Sequence, residues 1–300
     1  MPHSFSVAIP TYQREEVLLT TLNTLFKQRS LFYELLVLDQ TLQHNPNVQS
    51  ELQKWGEQSM IRWIRLQKPS IPAAMNKALL IAESEIILFL DDDIIPSEEL
   101  IKGHLNGYSE DANIWAVAGR VIQPWQSDTS PEKNKKSHGN GSAAFNFNST
   151  QRQFVREVMA GNLSILRRKA VEIGGFDENF VGAAYRFETE FAERLIRKGG
   201  KILFEPSASI RHLKATDGGT RSFGDFRKTI LPHHSVGAYY YFLRSGKSTI
   251  LSCASRFFRS IYTKHHLFKP WWIPVTLMAE FSGFIWALFL AVKGPKYIRI

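Results

Sequence analysis

One stretch constrains the fold of this chain more than any other. An apolar run from Ile86 to Leu90 ends abruptly in three consecutive carboxylates, Asp91 to Asp93. An uninterrupted apolar run of this length is typical of a strand that is buried on both faces, as in a parallel sheet covered by helices. The three acidic side chains are therefore predicted to lie at the carboxyl end of a central strand.

Three adjacent carboxylates repel one another, and the pKa of at least one of them rises unless a cation holds them together. Oxygen ligands suit Mg²⁺ or Mn²⁺, whose coordination shell is often completed by the phosphates of a substrate. The alternative is a solvated acidic turn that caps a helix starting at Ser97. The triplet alone leaves both interpretations open.

The residues before this strand alternate between strand and helix patterns. The predicted elements are strands at Phe5–Ile9, Leu35–Leu38 and Ile61–Leu66, and helices at Glu15–Gln28, Asn47–Glu57 and Pro72–Ala82. This alternation predicts an α/β fold with a mostly parallel central sheet flanked by helices. Ligands bind such sheets outside the carboxyl ends of the strands, where Thr11, Tyr12 and Asp39 join the three aspartates.

The composition limits the number of domains that the chain can form and the compartment in which it is expected. A chain of 300 residues that is 44% hydrophobic can form one large domain, or one domain with an appendage. The single cysteine, Cys253, excludes an internal disulfide framework. Met1 to Ser6 lacks the basic and apolar pattern of a signal peptide, so we expect the body to face the cytoplasm.

The positive charge is concentrated in the last part of the chain. The net charge is +9, and from Tyr241 to Ile300 nine basic residues oppose the single acid Glu280, a balance of about +8 (nine minus one). The rest of the chain is nearly neutral. This distribution argues against a general nucleic-acid partner.

Two loops have the composition of functional segments. Gln123 to Gln153 is polar, weakly periodic and long for a connection within a domain, so it is expected to be either disordered or a functional lid. Asp217 to Arg221 contains two glycines and ends in a basic residue, a composition that can fold over phosphates. A lone glycine pair is a weak signal, and His212 before it, taken alone, is typical of a hydrogen-bonded structural histidine.

A helix predicted from Phe187 to Gly200 carries two kinds of charge. Glu190 with Arg194, and Glu193 with Arg197, are i,i+4 pairs expected on the solvent-exposed face. Glu188 instead shares the inward face of the helix. It is either an N-terminal residue stabilised by the helix dipole or a general base whose pKa is altered by partial burial.

Five segments together resemble the family 2 glycosyltransferases of the GT-A fold. They are Val7 to Arg14, Val37 to Asp39, Leu90 to Asp93, Gly174 to Asp177 and Glu188 to Phe191. The resemblance spans roughly residues 5 to 215. It implies a GT-A fold and transfer of a sugar from a nucleotide-diphospho-sugar to an acceptor hydroxyl.

The resemblance also implies roles for individual residues. It places Pro10, Thr11, Tyr12 and Arg14 around the nucleotide, Asp39 as acceptor of a hydrogen bond from the base, and Asp91 or Asp92 against the ribose. Asp93 becomes the metal ligand for Mn²⁺ or Mg²⁺, and His212 reaches the metal or the diphosphate. Glu188 falls at the position of the catalytic base, but Phe187-Glu188 replaces the usual Glu-Asp pair, so Glu190 is an alternative base.

The chemistry that follows is a single displacement with inversion. A divalent cation stabilises the charge on the leaving diphosphate, and the base takes the proton of the acceptor hydroxyl. Two other classes stay open: a nucleotidyltransferase acting on a sugar phosphate, which would release pyrophosphate, and a non-catalytic membrane scaffold with a degenerate site.

The C-terminal region is predicted to contact a membrane. Ile273 to Val292 is 20 residues long with one charge, Glu280, and is flanked by tryptophans and basic residues. As a helix it would be about 30 Å long, enough to span, although an interfacial helix fits equally. We predict a GT-A domain at 1–235 and a membrane-associated region at 236–300. It would lie on the cytoplasmic face, as a peripheral region or a single span, with a glycan or lipid-linked acceptor.

Overall fold

The computed structural model describes residues 5–127, 145–245 and 249–299, without the side chains of residues 249 and 250. The loop at Gln123 to Gln153, predicted to be either disordered or a lid, therefore falls mostly outside the described residues, because only its two ends are included.

The described residues form strands, α-helices and a few 3₁₀ turns. The strands are β1 (Phe5–Thr11), β2 (Glu34–Asp39), β3 (Arg62–Arg65), β4 (Ile86–Leu90), β5 (Ile94–Pro96), β6 (Ile114–Ile122), β7 (Gln153–Val155), β8 (Asn162–Leu166) and β9 (Lys201–His212). The helices are α1 (Glu16–Phe26), α2 (Pro46–Glu57), α3 (Ile71–Ile81), α4 (Leu100–Gly107), α5 (Arg167–Glu172), α6 (Phe187–Arg197), α7 (Val236–Ser245), α8 (Thr249–Ile261), α9 (Lys264–Phe268) and α10 (Ile273–Lys293). The 3₁₀ turns lie at Arg29–Leu31, Gly219–Phe223, Pro232–His234 and Pro270–Trp272.

The strands of the described residues form one sheet in the order β3-β2-β1-β4-β8-β6-β9-β5, with β7 paired to β9. The pairings make β1, β2, β3, β4, β6 and β9 run in one direction, and β5, β7 and β8 in the other. The prediction of an α/β fold with a mostly parallel sheet is confirmed.

Side-chain alternation divides the core between the two faces of the sheet. In β4, Ile86, Leu88 and Leu90 pack toward one cluster, whereas Ile87 and Phe89 pack toward the other. All five are at most 1% exposed. The strand is thus buried on both faces, as its unbroken apolar sequence predicted.

The last long strand, β9, contains a proline. Pro206 cannot donate a ladder hydrogen bond. The strand nevertheless runs from Lys201 to His212, and its pairing with β6 skips from Glu205 to Ser209 in an irregularity. A proline is tolerated at such a bulge. The continuation pairs His212 with Ile94, directly after the aspartates.

One helical stretch in the described residues, Pro270–Lys293, is long and apolar enough to cross a membrane. Its α10 segment packs on α7 and α8. Helix α7 in turn contributes Tyr239 and Tyr240 to the same core cluster as Phe176 and Phe180, which lie between α5 and α6.

Candidate active site

A cluster of possible metal ligands lies where β4 ends. The ligand atoms of Asp91, Asp93 and His212 all lie within 4.8 Å of one another. His212 Nε2 is 3.3 Å from Asp93 Oδ1 and 3.6 Å from Asp91 Oδ2. Pairing between β5 and β9 produces this arrangement, because it sets His212 opposite the residue that follows Asp93.

The donor set suits a divalent cation. Two carboxylates and one imidazole nitrogen are ligands that Mn²⁺ accepts, and carboxylates with water suit Mg²⁺. The backbone N–H of Lys214 donates to His212 Nδ1 at 3.0 Å. The neutral ring therefore carries its proton on Nε2. In this arrangement His212 donates toward the carboxylates, and it could ligate a cation through Nε2 only after Nδ1 loses that bond.

Cations of the protein itself lie against the aspartates. Buried Arg14 has Nε 3.3 Å from Asp92 Oδ1 and Nη2 3.6 Å from Asp93 Oδ2. Arg221 Nη1 is 3.8 Å from Asp93 Oδ2. These guanidinium groups offset part of the repulsion within the triplet and also present positive charge where a diphosphate could bind.

Burial nevertheless makes the charged forms of Asp91 and Asp92 less favourable. Burial, together with the charge of Asp93, raises the pKa of Asp91 to about 7. Burial raises the pKa of Asp92 to about 7 as well, although Arg14 opposes the shift. Burial lowers the pKa of His212, against the attraction of Asp93. A bound cation would favour the charged carboxylates, so these shifts agree with the donor set.

Glu188 lies beside this cluster, and two consecutive backbone residues connect them. Ala160 N–H donates to Glu188 Oε2 at 3.3 Å. The next residue, Gly161, accepts from the N–H of Asp91 at 3.1 Å, and a Cβ on Gly161 would lie 2.0 Å from Asp91 Oδ2. Burial raises the pKa of Glu188 to about 7, and the charge of Asp91 adds to the increase.

Glu190 has a different environment, and this corrects the sequence expectation. Its pair with Arg194 was expected on the solvent-exposed face, but both residues are buried and bonded twice, at 2.8 and 2.7 Å. Tyr297 OH donates to Glu190 at 3.0 Å, and its ring lies 4.3 Å from the Arg194 guanidinium carbon. The expectation was wrong because a C-terminal segment more than a hundred residues away covers this face of α6.

A cavity of about 150 Å³ adjoins the cluster. Its lining includes the predicted nucleotide residues Pro10, Thr11, Tyr12, Arg14, Asp91 and Asp92, together with Asp93 and His212. The loop at Asp217–Arg221 closes over it: Gly219 N–H donates to the Tyr12 carbonyl at 2.7 Å. A side chain on Gly218, whose φ is +73°, would lie 2.1 Å from the Gln13 carbonyl oxygen, so the close approach requires glycine.

Asp39 lies at the end of β2, as predicted, but it is fully buried. Its carboxylate accepts hydrogen bonds at 2.8 Å from His44 Nε2, Trp63 Nε1 and the Thr41 N–H. Burial acts to raise the pKa of Asp39, yet these donors lower it. The neighbouring Gln40, which the sequence analysis did not select, lines the cavity in its place.

Sequence reasoning also missed Ala160 and Gly161, which position Glu188 and Asp91. The available signal was the resumption of apolar character from Val158 to Ile165, which ends the long polar loop. Local pattern could not show that this strand enters between β4 and β6 in the opposite direction.

A mostly parallel α/β sheet with a carboxylate cluster at its carboxyl edge is the arrangement that the GT-A fold requires. The family model described as Glycosyl transferase family 2 matches residues 6–174, more than half of the 300-residue chain, and the chain belongs to that family. It is therefore a glycosyltransferase, and the resemblance seen in the sequence is confirmed. A comparison with curated protein sequences finds no match.

Solved structures agree with the fold at low identity. The mannosyltransferase PcManGT from Pyrobaculum calidifontis, in complex with GDP-Man and Mn²⁺, is 16% identical with a TM-score of 0.56, and the match covers 98% of this chain and 80% of that chain. S. aureus TarS 1-349 with UDP-GlcNAc is 15% identical with a TM-score of 0.54, and the match covers 93% of this chain and 73% of that chain. GalNAc-T7 with UDP, GalNAc and Mn²⁺ is 14% identical with a TM-score of 0.54, and the match covers 83% of this chain and 52% of that chain.

Proposed function

We propose that this glycosyltransferase moves a sugar from a nucleoside-diphospho-sugar to an acceptor hydroxyl, with a divalent cation and with inversion at the anomeric carbon. The observation that carries the proposal is the juxtaposition at Ala160 and Gly161. These consecutive residues contact the base candidate Glu188 on one side and the metal-ligand candidate Asp91 on the other.

Asp91 and Asp93 would hold the cation, and His212 would join them through Nε2 once its Nδ1 no longer accepts from the Lys214 N–H. When bound, Mn²⁺ or Mg²⁺ would stabilise the negative charge that develops on the departing diphosphate. Arg14 and Arg221 both face the Asp93 carboxylate, so they are placed to exchange it for diphosphate oxygens. The complexes of PcManGT with GDP-Man and Mn²⁺ and of TarS with UDP-GlcNAc support a nucleotide-sugar donor.

Glu188 is the proposed base. Its carboxylate would take the proton of the acceptor hydroxyl as that oxygen attacks the sugar from the face opposite the diphosphate. Glu190 is the weaker candidate, because both of its oxygens are engaged by Arg194. A pKa near 7 suits Glu188 to accept a proton and release it at neutral pH.

The nucleotide would occupy the cavity beside Pro10, Thr11, Tyr12 and Arg14, with Asp92 against the ribose, because Asp91 is proposed as a metal ligand. A volume of about 150 Å³ is below the roughly 300 Å³ at which small-molecule pockets begin. The loop at Asp217–Arg221 would therefore move aside to admit the donor. Asp39 would accept a hydrogen bond from the nucleobase only by giving up one of the three hydrogen bonds that it accepts in this structure.

We assign the donor site to residues 1–235 and the membrane contact to residues 236–300. The acceptor would be a glycan or a lipid-linked sugar presented at the cytoplasmic face of a membrane. The basic and apolar character of the last sixty residues supports this assignment.

Product analysis tests the reaction class. The protein is incubated with a panel of nucleotide sugars, an added acceptor alcohol and Mn²⁺, with and without chelator, and the released nucleotide and the glycosylated product are identified. We expect a nucleoside diphosphate whose release stops on chelation, and an acceptor product of inverted configuration. Pyrophosphate as product would instead indicate a nucleotidyltransferase, and metal-independent turnover or retention of configuration would contradict the proposed mechanism.

A further inference from the structure

One face of α10 is fitted closely to the body of the protein. Its buried residues are Thr276, Ala279, Glu280, Gly283, Ala287 and Leu290. Ser235 Oγ donates to the Ala279 carbonyl at 2.9 Å. A Cβ on Gly283 would lie 2.0 Å from the same hydroxyl. This face of the helix is therefore covered by protein.

The opposite face is apolar and open. Met278, Phe281, Ile285, Phe289 and Val292 are 58, 60, 49, 58 and 88% exposed. Their spacing of three or four residues places them in one stripe. A helix of 21 residues is about 31 Å long. An exposed apolar stripe of that length marks an interaction surface.

The same body holds both ends of α10. At its start, the Thr276 hydroxyl donates to the Arg227 carbonyl at 3.4 Å. Beyond its end, Asn179 donates to the Gly294 carbonyl at 2.6 Å, and Ile298 N–H donates to the Gly174 carbonyl at 2.8 Å. A spanning helix would separate these ends by the hydrocarbon core of a bilayer, about 30 Å, so crossing would draw the catalytic body into lipid.

The one acid of the helix does not conflict with this arrangement. Glu280 is 5% exposed and forms an ion pair with Arg256 of α8 at 3.1 Å, on the protein side of α10. The open stripe therefore carries no acidic group that an apolar or anionic surface would repel.

Positive charge lies at both ends of the stripe. Lys264 and Lys269 precede α10 in the chain. At the other end a cavity of about 780 Å³ is lined by Lys77, Lys293, Lys296 and Arg299, with Glu178 as its one acid. The Lys293 ammonium lies 4.2 Å from the ring centroid of Phe289, so the basic cavity adjoins the apolar stripe.

We propose that α10 lies flat on an anionic membrane, with its stripe in the interface and the basic cavity beside lipid headgroup phosphates, and that it does not cross the bilayer. An apolar helix face bordered by basic residues is the recognised form of such surface binding. The inference deepens the proposed membrane association and is independent of the donor chemistry.

Vesicle flotation tests the docking surface. The full chain is mixed with preformed vesicles of phosphatidylcholine, alone or with phosphatidylglycerol, and the floated fraction is measured. We expect binding that increases with phosphatidylglycerol and decreases with salt. The double variant Phe281→Ser with Ile285→Ser should bind the vesicles at least about tenfold more weakly than wild type. The double variant Lys77→Gln with Lys293→Gln should bind anionic vesicles about fivefold more weakly for each charge removed. Its binding to vesicles of phosphatidylcholine alone should not change.

Phe154→Ser is the matched control, because Phe154 is 56% exposed but lies on β7; it should bind like wild type. Three results would overturn the proposal. The first is unchanged vesicle binding in the Phe281 and Ile285 double variant. The second is a wild-type chain that forms a dimer which this double variant dissociates. The third is a membrane-bound chain that alkaline carbonate fails to extract, as expected of a spanning helix. Metal-dependent nucleotide binding, measured on the same samples, separates failure of docking from failure of the proposed function.

Discussion

Glu188 and Glu190 lie two positions apart on α6, and their different surroundings support the different roles proposed for them. Glu188 accepts one backbone hydrogen bond beside the aspartate cluster. Glu190 is fixed by Arg194 and Tyr297. A base needs a free lone pair facing the acceptor, whereas a carboxylate with its oxygens engaged holds structure. The assignment therefore rests on hydrogen bonds rather than on position in a motif.

Replacing Glu188 by glutamine should remove the base and keep the shape of the site. We expect Glu188→Gln to reduce the transfer rate by about 10²- to 10⁴-fold, with donor affinity within a few-fold of wild type. The measurement is turnover with the identified donor, beside calorimetric binding of its nucleoside diphosphate. Near-normal turnover in this variant would remove Glu188 from the mechanism.

The raised pKa of Glu188 also predicts a pH profile. Burial disfavours the charged form and moves the pKa from 4.5 to about 7, so the active base is lost as pH falls through about 7. We expect kcat/KM, measured at saturating Mn²⁺, to decrease about tenfold per pH unit on the acidic side. A profile that stays flat down to about pH 5 would show that the base has an ordinary carboxylate pKa.

At the scale of elements, α6 is held in place by a buried ion pair. Removing one partner of such a pair leaves the other charge buried and uncompensated. We expect Arg194→Ala to lower the free energy of unfolding by about 3–5 kcal/mol, measured by urea denaturation. The double variant Glu190→Gln with Arg194→Met should recover part of this loss.

An exposed pair on α5 supplies the control. Arg168 and Glu172 are also i,i+4 partners, 3.2 Å apart, but their side chains are 83 and 44% exposed. Arg168→Ala should change the free energy of unfolding by less than about 1 kcal/mol. Equal small losses at both sites would mean that the Glu190 pair is accessible to water after all.

The residues before β8 act as a spacer between the two carboxylates. In Gly161→Ala the new methyl group would meet Asp91 Oδ2, so Asp91 must move. We expect Mn²⁺-dependent nucleotide binding to weaken at least tenfold while the far-ultraviolet circular dichroism stays native. Gly56→Ala in α2, where a Cβ meets nothing within 4 Å, should instead raise stability by about 0.5–1 kcal/mol. Unchanged binding in Gly161→Ala would contradict the spacer role.

At the scale of the whole molecule, the parts that sequence predicted share one property: they depend on neighbours along the chain. The apolar run before Asp91, the strand end at Thr11 and the helix containing Glu188 are local patterns, and a parallel sheet brings such strand ends to one edge. The fold class and the position of Thr11, Tyr12 and the three aspartates beside the cavity followed from this, whereas Pro10, Arg14 and His212 were predicted from the family resemblance.

The parts that sequence could not predict depend on distant contacts. Tyr297 reaches Glu190 across 107 positions, which buries a pair that i,i+4 spacing placed in solvent. Asp39 ends its strand as expected, but the side chains of His44 and Trp63 enclose it. Neither contact has a periodic signal, because tertiary packing determines which charged residues are covered.

The most direct test of the whole account is calorimetric binding of nucleoside diphosphates to the purified chain, with and without Mn²⁺. Wild type is compared with Asp93→Asn, and with Asp111→Asn as a carboxylate control bonded to Lys201 outside the cavity. We expect binding that prefers one base, requires Mn²⁺, disappears in Asp93→Asn and persists in Asp111→Asn. Binding of equal strength without metal, or in Asp93→Asn, would contradict the proposed donor site.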